Sequence, residues 1–240
     1  MQNFNRIFYN VLFISTFING QTTISGDIDF YYLSSTKDNH LINLPYRMFD
    51  VTVQHQKDEF EIISNIAMEY MPQAHTHYLS TSDPQDFLFD LREFYLTWYT
   101  DFGEIRLGKQ IHTWGSVDEN SPLDVVSAYD YYYLFNSGVE RKLGSWSLST
   151  ETYLSDVVIK TVFSPFHQTN RLPVIDGAPD PEFGFNMPVP PQVNQFIAID
   201  NPMEYGLSVR KNFSNIELNV IFFSGQRFIF SPLSYIIVSI

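Results

Sequence analysis

The chain has 240 residues, 14 Lys and Arg against 27 Asp and Glu, a formal charge of −13 and no cysteine. Aromatic residues and charged residues each make up 17% of it, whereas ordinary soluble domains carry roughly 25% charge. Without cysteine there is no disulfide scaffold and no zinc–thiolate site; the negative charge argues against a nucleic-acid partner, and an apolar fraction of 44% is too high for a disordered chain. What is left is an aromatic, weakly charged chain whose surface need not all face water.

Residues 1–20, MQNFNRIFYNVLFISTFING, carry Arg6 as their only charge, an apolar stretch from Ile7 to Ile18 and a small residue, Gly20, at a plausible cut point. That is the layout of a secretory signal peptide, too short and too polar for a spanning helix. A buried amphipathic first helix is the competing reading. No later stretch reaches eighteen apolar residues, so export without a spanning helix is expected.

From Gln21 onward the hydrophobic pattern has a period of two, which puts alternate side chains on opposite faces of a strand. Ile24, Ile28, Phe30 and Tyr32 alternate with polar neighbours, as do Phe49, Val51 and Val53. Phe60, Ile62, Ile66 and Met68 continue the pattern, followed by Phe94, Leu96 and Trp98 against Glu93, Tyr95 and Thr97. Ile105, Leu107 and Ile111 oppose Arg106, Gln110 and His112. Trp146 and Leu148, a run from Val157 to Phe163, Tyr205 to Val209, and Ile216 to Phe222 complete nine candidate strands, with no convincing helix.

The connections alternate between long (34–47, 72–86, 113–136, 164–202) and short (56–59, 100–103, 155–156, 211–215). A soluble sandwich has no reason to keep that order, whereas a transmembrane barrel has short periplasmic turns and long external loops. Aromatic residues gather near strand ends, at Tyr31, Tyr32, Tyr70, Tyr95, Trp98, Tyr99, Trp146 and Tyr153, as in a membrane-interface girdle; aromatic filling of a sandwich core is the alternative. The expectation is an all-β, antiparallel transmembrane barrel of which about nine to ten strands are present.

Three stretches go further. Leu91-Arg-Glu-Phe-Tyr-Leu-Thr-Trp98 precedes Glu104-Ile-Arg-Leu-Gly-Lys-Gln-Ile-His-Thr-Trp-Gly115; Ser121-Pro-Leu-Asp-Val-Val-Ser-Ala-Tyr-Asp130 follows; then come Asn170-Arg-Leu-Pro173 and Glu204-Tyr-Gly-Leu-Ser-Val-Arg210. In order and spacing these resemble a large family of Gram-negative outer-membrane porin-like barrels, over about Leu91 to Gly225. The chain departs from the family pattern with Lys109 for arginine and Ser127 for proline. The resemblance implies an outer-membrane channel or uptake protein for small solutes, hydrophobic or carboxylated compounds among them. The family's barrels are about twice as long, so residues 21–240 read as the N-terminal portion of a longer barrel, with a closed eight- or ten-strand barrel as the alternative.

The loop 113–136 falls where trimeric porins fold a loop into the lumen, an analogy rather than a derivation. It carries Asp118, Glu119, Asp124 and Asp130 and no Lys or Arg. Arg92, Glu93, Arg106 and Gln110 lie on the two strands before it, and together these eight are the candidates for a pore constriction, an acidic loop facing basic wall residues and orienting polar or zwitterionic solutes. Salt bridges pinning the loop to the wall are the equally open alternative. Arg92 and Lys109 fall on the apolar parity, which fits lipid badly unless they sit near headgroups or the register is broken. The segment 164–202 holds 8 of the 13 prolines; it reads as a lid, a plug or an inert loop rather than a strand pair, with Asn170 and Arg171 as its anchor.

His75-Thr-His77 has metal-like spacing but no further ligand nearby, and reads as a surface pair. Asn212-Phe-Ser214 matches a glycosylation sequon without meaning in a bacterial-type barrel. No phosphate loop, no G-x-S-x-G and no singled-out carboxylate pair is present, so no enzyme activity, cofactor or metal is expected. The expected partners are outer-membrane lipid and small solutes, no nucleic acid, with a homo-oligomer left open. A secreted β-sandwich acting on carbohydrate as enzyme or lectin, and a nonfunctional truncated barrel with lipid-exposed edges, are the alternatives.

Overall fold

In the computed structural model, residues 20–30, 45–70, 87–114, 126–133, 138–171, 174–175, 178–179, 203–213, 216–226 and 232–239 are described, with the backbone alone for 174–175, 178–179, 226 and 232–239. Residues 1–19 of the expected signal peptide, Tyr31, Tyr32, His75 and His77 lie outside them. The strands in chain order are β1 (Gln21–Ile28), β2 (Tyr46–Lys57), β3 (Phe60–Tyr70), β4 (Phe87–Thr100), β5 (Gly103–Gln110), β6 (Ala128–Tyr129) and β7 (Lys142–Leu143). They continue with β8 (Ser145–Leu154), β9 (Val157–Ser164), β10 (Val174–Ile175), β11 (Ala178–Pro179), β12 (Glu204–Phe213), β13 (Ile216–Gln226) and β14 (Pro232–Ser239). Among the described residues the helical elements are two 3-10 turns, Tyr131–Tyr133 and Gly138–Arg141.

The chain is all-β. Ten strands form one antiparallel meander in the order β1-β2-β3-β4-β5-β8-β9-β12-β13-β14. The sheet is open among the described residues: β1 pairs with β2 and β14 with β13, and nothing joins the two edges. The nine strands expected from periodicity are present, and β14 is a tenth. β6 pairs with β7 inside the expected loop 113–136 and its approach to β8, and β10 with β11 inside the segment expected to hold no strand pair. That second expectation is corrected: Pro179 stands opposite Val174 at the end of a two-residue ribbon, where every residue is an edge residue and a missing donor costs little.

Because the sheet is a meander, all long connections leave from one end of the strands, together with the five residues between β13 and β14, and the two-residue hairpins leave from the other. Two of the hairpins turn on residues with positive φ, Asp58 (51°) and Ser155 (57°). Small polar side chains tolerate that left-handed conformation, which two-residue hairpins require.

The two faces of the sheet are opposite in character. Phe94, Leu96, Leu107, Trp146, Leu148 and Phe163 point outward and are exposed. Glu61, Asn65, Thr97, Gln110, Ser147 and Ser208 point inward and are buried. Register keeps the faces separate over many strands: Ile62, Leu96, Leu107, Leu148, Phe163 and Tyr205 form one continuous outward row. Two polar groups on that apolar side satisfy each other, Thr150 Oγ1 and Thr161 Oγ1, 2.8 Å apart. Tyr95 belongs to the inward set rather than to an outer girdle, with the Arg106 guanidinium 5.8 Å from its ring centre.

Arg92 resolves the parity conflict. The β3–β4 pairing jumps from Asn65–Glu93 to Ile66–Leu91, so Arg92 is the extra residue of a β-bulge. A bulge inserts one residue and shifts the parity beyond it, and Arg92 turns inward, buried, to Asp50. Lys109 stays on the outer side, where its Nζ donates to Leu91 O and lies 3.5 Å from Asp90.

Candidate functional site

The inner face and the segments lying against it form the candidate site. The chain leaves β5 through residues 111–114 and runs inward. Glu93 accepts the Ile111 N–H at 2.8 Å. The His112 N–H donates to Ser127 Oγ (2.8 Å), and that hydroxyl donates back to His112 O (3.2 Å). Lys142 Nζ donates to the same carbonyl at 3.2 Å, and His112 Nε2 lies 2.9 Å from Ser147 Oγ on β8. Two stretches of the long connection are thereby stitched to each other and to the wall.

Trp114 completes the anchor. It packs with Val126, Val162, Ile221 and Phe223 in a buried apolar cluster on the otherwise polar face. A Cβ built at Gly206 on β12 would lie 2.6 Å from Trp114 Cη2, so the indole occupies the space a side chain would take. Gly206→Val is expected to push the indole off the wall, costing about 1–3 kcal/mol; a red-shifted tryptophan emission with faster proteolysis of the 111–133 region would report it.

Burial pushes the His112 imidazole down to about 3 from an ordinary 6.5, with Arg106, Lys142 and Lys160 adding to the effect. The unfolded chain therefore takes up a proton that the folded chain refuses as the pH falls below about 6.5. Stability is expected to fall on acidification between those two values, by roughly 1.4 kcal/mol per pH unit from this group. Urea titrations at pH 7 and 5 should show the slope in the wild type and its loss in His112→Gln.

Beyond Ser127 the connection crosses to β2 and β3. The Glu69 carboxylate accepts both Nη atoms of Arg171, a fork-on-fork pair, and the Tyr133 hydroxyl at 2.8 Å. Arg171 Nη1 also lies 3.2 Å from Asp130, whose side chain is 1% exposed. Burial raises the Asp130 carboxyl above its ordinary range, and Arg171 works against that. Asn170 Oδ1 accepts the Tyr129 N–H (2.7 Å), and the Arg47 guanidinium sits 3.9 Å from the Tyr133 ring centre. A second clamp holds Glu140 between Arg47 (2.7 Å) and Arg92 (3.5 Å), with Arg92 also 3.1 Å from Asp50 and donating to Val139 O.

Of the expected constriction residues, Asp118, Glu119 and Asp124 lie outside the described residues. Arg92, Glu93 and Asp130 are each engaged in holding the long connections to the wall, and Asn170 and Arg171 hold the segment after β9. Gln110 is buried, its Nε2 donating to Ser147 O (2.9 Å) and its Oε1 accepting from Ser149 (2.8 Å). Arg106 pairs with Glu104 on its own strand. The structure adds residues that periodicity did not single out: Glu69, Asp50, Glu140, Tyr133 and the Trp114 cluster. Ile221 and Phe223 carried a signal, being apolar on the polar parity of β13. Among the described residues no group of His, Asp and Glu is arranged to hold a metal ion.

No protein-family model and no curated protein matches the chain.

Proposed function

We propose that the chain forms the wall of an outer-membrane β-barrel, a porin-like passage for small solutes. In this reading its polar face lines the lumen and the segments 111–114 and 126–133 narrow it. The observation that carries the reading is the inverted amphipathy of the sheet. Phe89 is 72% exposed and Leu107 61%, while Glu61, Glu104 and Arg92 are buried. In water each large apolar side chain left outside forgoes about 1.5–3 kcal/mol, and the inward charges would face desolvation with no apolar layer gaining from it. Hydrocarbon outside and water inside reverse both penalties.

Lipid also requires every backbone amide to be paired, so an open edge cannot remain within the bilayer. Edges β1 and β14 must then close on each other or on further strands. The resemblance to porin-like barrels agrees with this reading, and the proposed role is passage rather than catalysis, with lipid and small solutes as partners and the outer membrane as location.

Fractionation of cells producing the chain with its own leader is the direct test. The reading expects recovery in the outer membrane, resistance to carbonate extraction, a heat-modifiable band on gels and stepwise conductance in planar bilayers. Recovery as a soluble periplasmic protein without detergent would defeat it.

A further inference from the structure

The inner wall holds an open cleft of about 50 Å³ over three neighbouring strands, below the size that encloses a whole solute, so it can seat only the charged head of one. Glu104 and Arg106 of β5, Ser149 and Glu151 of β8 and Lys160 of β9 line it, and the segment from Ile111 to Trp114 forms its other side. Register sets Glu104 directly opposite Glu151, and Glu151 directly opposite Lys160. Arg106 pairs with Glu104, and Lys160 Nζ lies 2.9 Å from Glu151.

Two features select the chemistry of an occupant. The four charges sum to zero, and His112 beside them is neutral at ordinary pH. The charges are also layered: the Arg106 and Lys160 side chains are 38% and 27% exposed, their carboxylate partners 10% and 17%. Donors thus stand toward the lumen and acceptors lie behind them. Arg106 has spent one Nη on Glu104, and its Nε has no partner. A lone cation would meet the outer cations first, a lone anion would rest on cations already neutralised by the carboxylates behind them, and either would leave a net charge where water is partly excluded. A molecule bearing both charges satisfies both layers and adds none.

We infer that this cleft is a binding subsite for a zwitterionic solute of amino-acid size, its ammonium toward Glu104 and Glu151 and its carboxylate on Arg106 and Lys160. The inference rests on the lumen reading of the inner face for the solute's route, but binding itself is measurable without transport.

The full chain in detergent is dialysed to equilibrium against labelled L-glutamine, L-glutamate, L-lysine and mannitol, and the same four are used in proteoliposome swelling. Glutamine should be retained about tenfold better than mannitol, the yield of one net charge-assisted hydrogen bond, and better than glutamate or lysine. The isoelectric double variant Glu151→Gln/Lys160→Gln should bring glutamine down to the mannitol level. Arg106→Gln, which leaves the cleft with one net negative charge, should turn the preference toward lysine and serves if the double variant does not fold. Glutamate or lysine binding as tightly as glutamine, or an unchanged preference in Arg106→Gln, overturns the inference. Binding without permeation would keep the subsite and remove the passage; permeation without preference would do the reverse.

Discussion

Leu107→Arg should destabilise the chain by about 2–4 kcal/mol when it is folded into a lipid bilayer, the cost of a cation on a lipid-facing site near midplane. The wild type already carries an arginine one residue away. Arg106 points inward and pairs with Glu104, while Leu107 points outward and sits in the apolar row between Leu96 and Leu148. Nothing but the two-residue period of the strand separates a tolerated arginine from a costly one. Urea titration of folding into vesicles gives the number. Were the outer face wet, an exposed leucine would accept arginine within about 0.5 kcal/mol, and such a result would remove the membrane reading together with the lumen assignments.

Arg171→Met should cost about 3–5 kcal/mol, because it strands two buried carboxylates rather than deleting one weak contact. Glu69 loses a bidentate partner and Asp130 its nearest cation. The triple variant Glu69→Gln/Asp130→Asn/Arg171→Met should recover most of the loss, since the penalty lies in the unpaired charges and not in the missing attraction. Acid should also restore part of the single variant's stability: Asp130 is already biased toward its neutral form by burial, and it takes a proton more readily once Arg171 is gone. If the pair pins the 126–133 segment across the lumen, the single variant should also show larger and noisier conductance steps. A single variant as stable as the wild type would make this cluster ornamental.

The inner anchors explain why the long connections, and not the short ones, hold the candidate site. A two-residue hairpin closes with the hydrogen bonds of its own strands. The connection after β5 has no such partner, and it is fixed by Trp114 at one end, by the His112–Ser127 exchange in the middle and by the Glu69 and Glu140 clamps beyond. These contacts lie on the same face as the charged cleft, so loss of the Trp114 anchor should disturb the cleft's wall.

Alternation is enough to place the strands, their two faces and the ends at which they turn, because it is local: the backbone sends successive side chains to opposite sides whatever the rest of the chain does. Nine strands and the inward set from Glu61 to Asn219 could be read this way. β14 could not, since Tyr235 to Val238 is a continuous apolar run with no period to read, and β6, β7, β10 and β11 are too short to show one. Alternation puts Arg92 on the apolar parity and leaves a broken register as one of two ways out; the bulge is that break, and it is settled by pairing with β3 rather than by the composition of β4. Arg171 as an anchor and salt bridges to the wall were legible, but which residues pair was left to the tertiary structure. Glu69 and Arg171 are 102 residues apart, and Trp114 meets Gly206 across the inner face. No local preference encodes such pairs; they exist because the meander brings the long connections to one end of the sheet, where buried charges must find partners or not be buried at all.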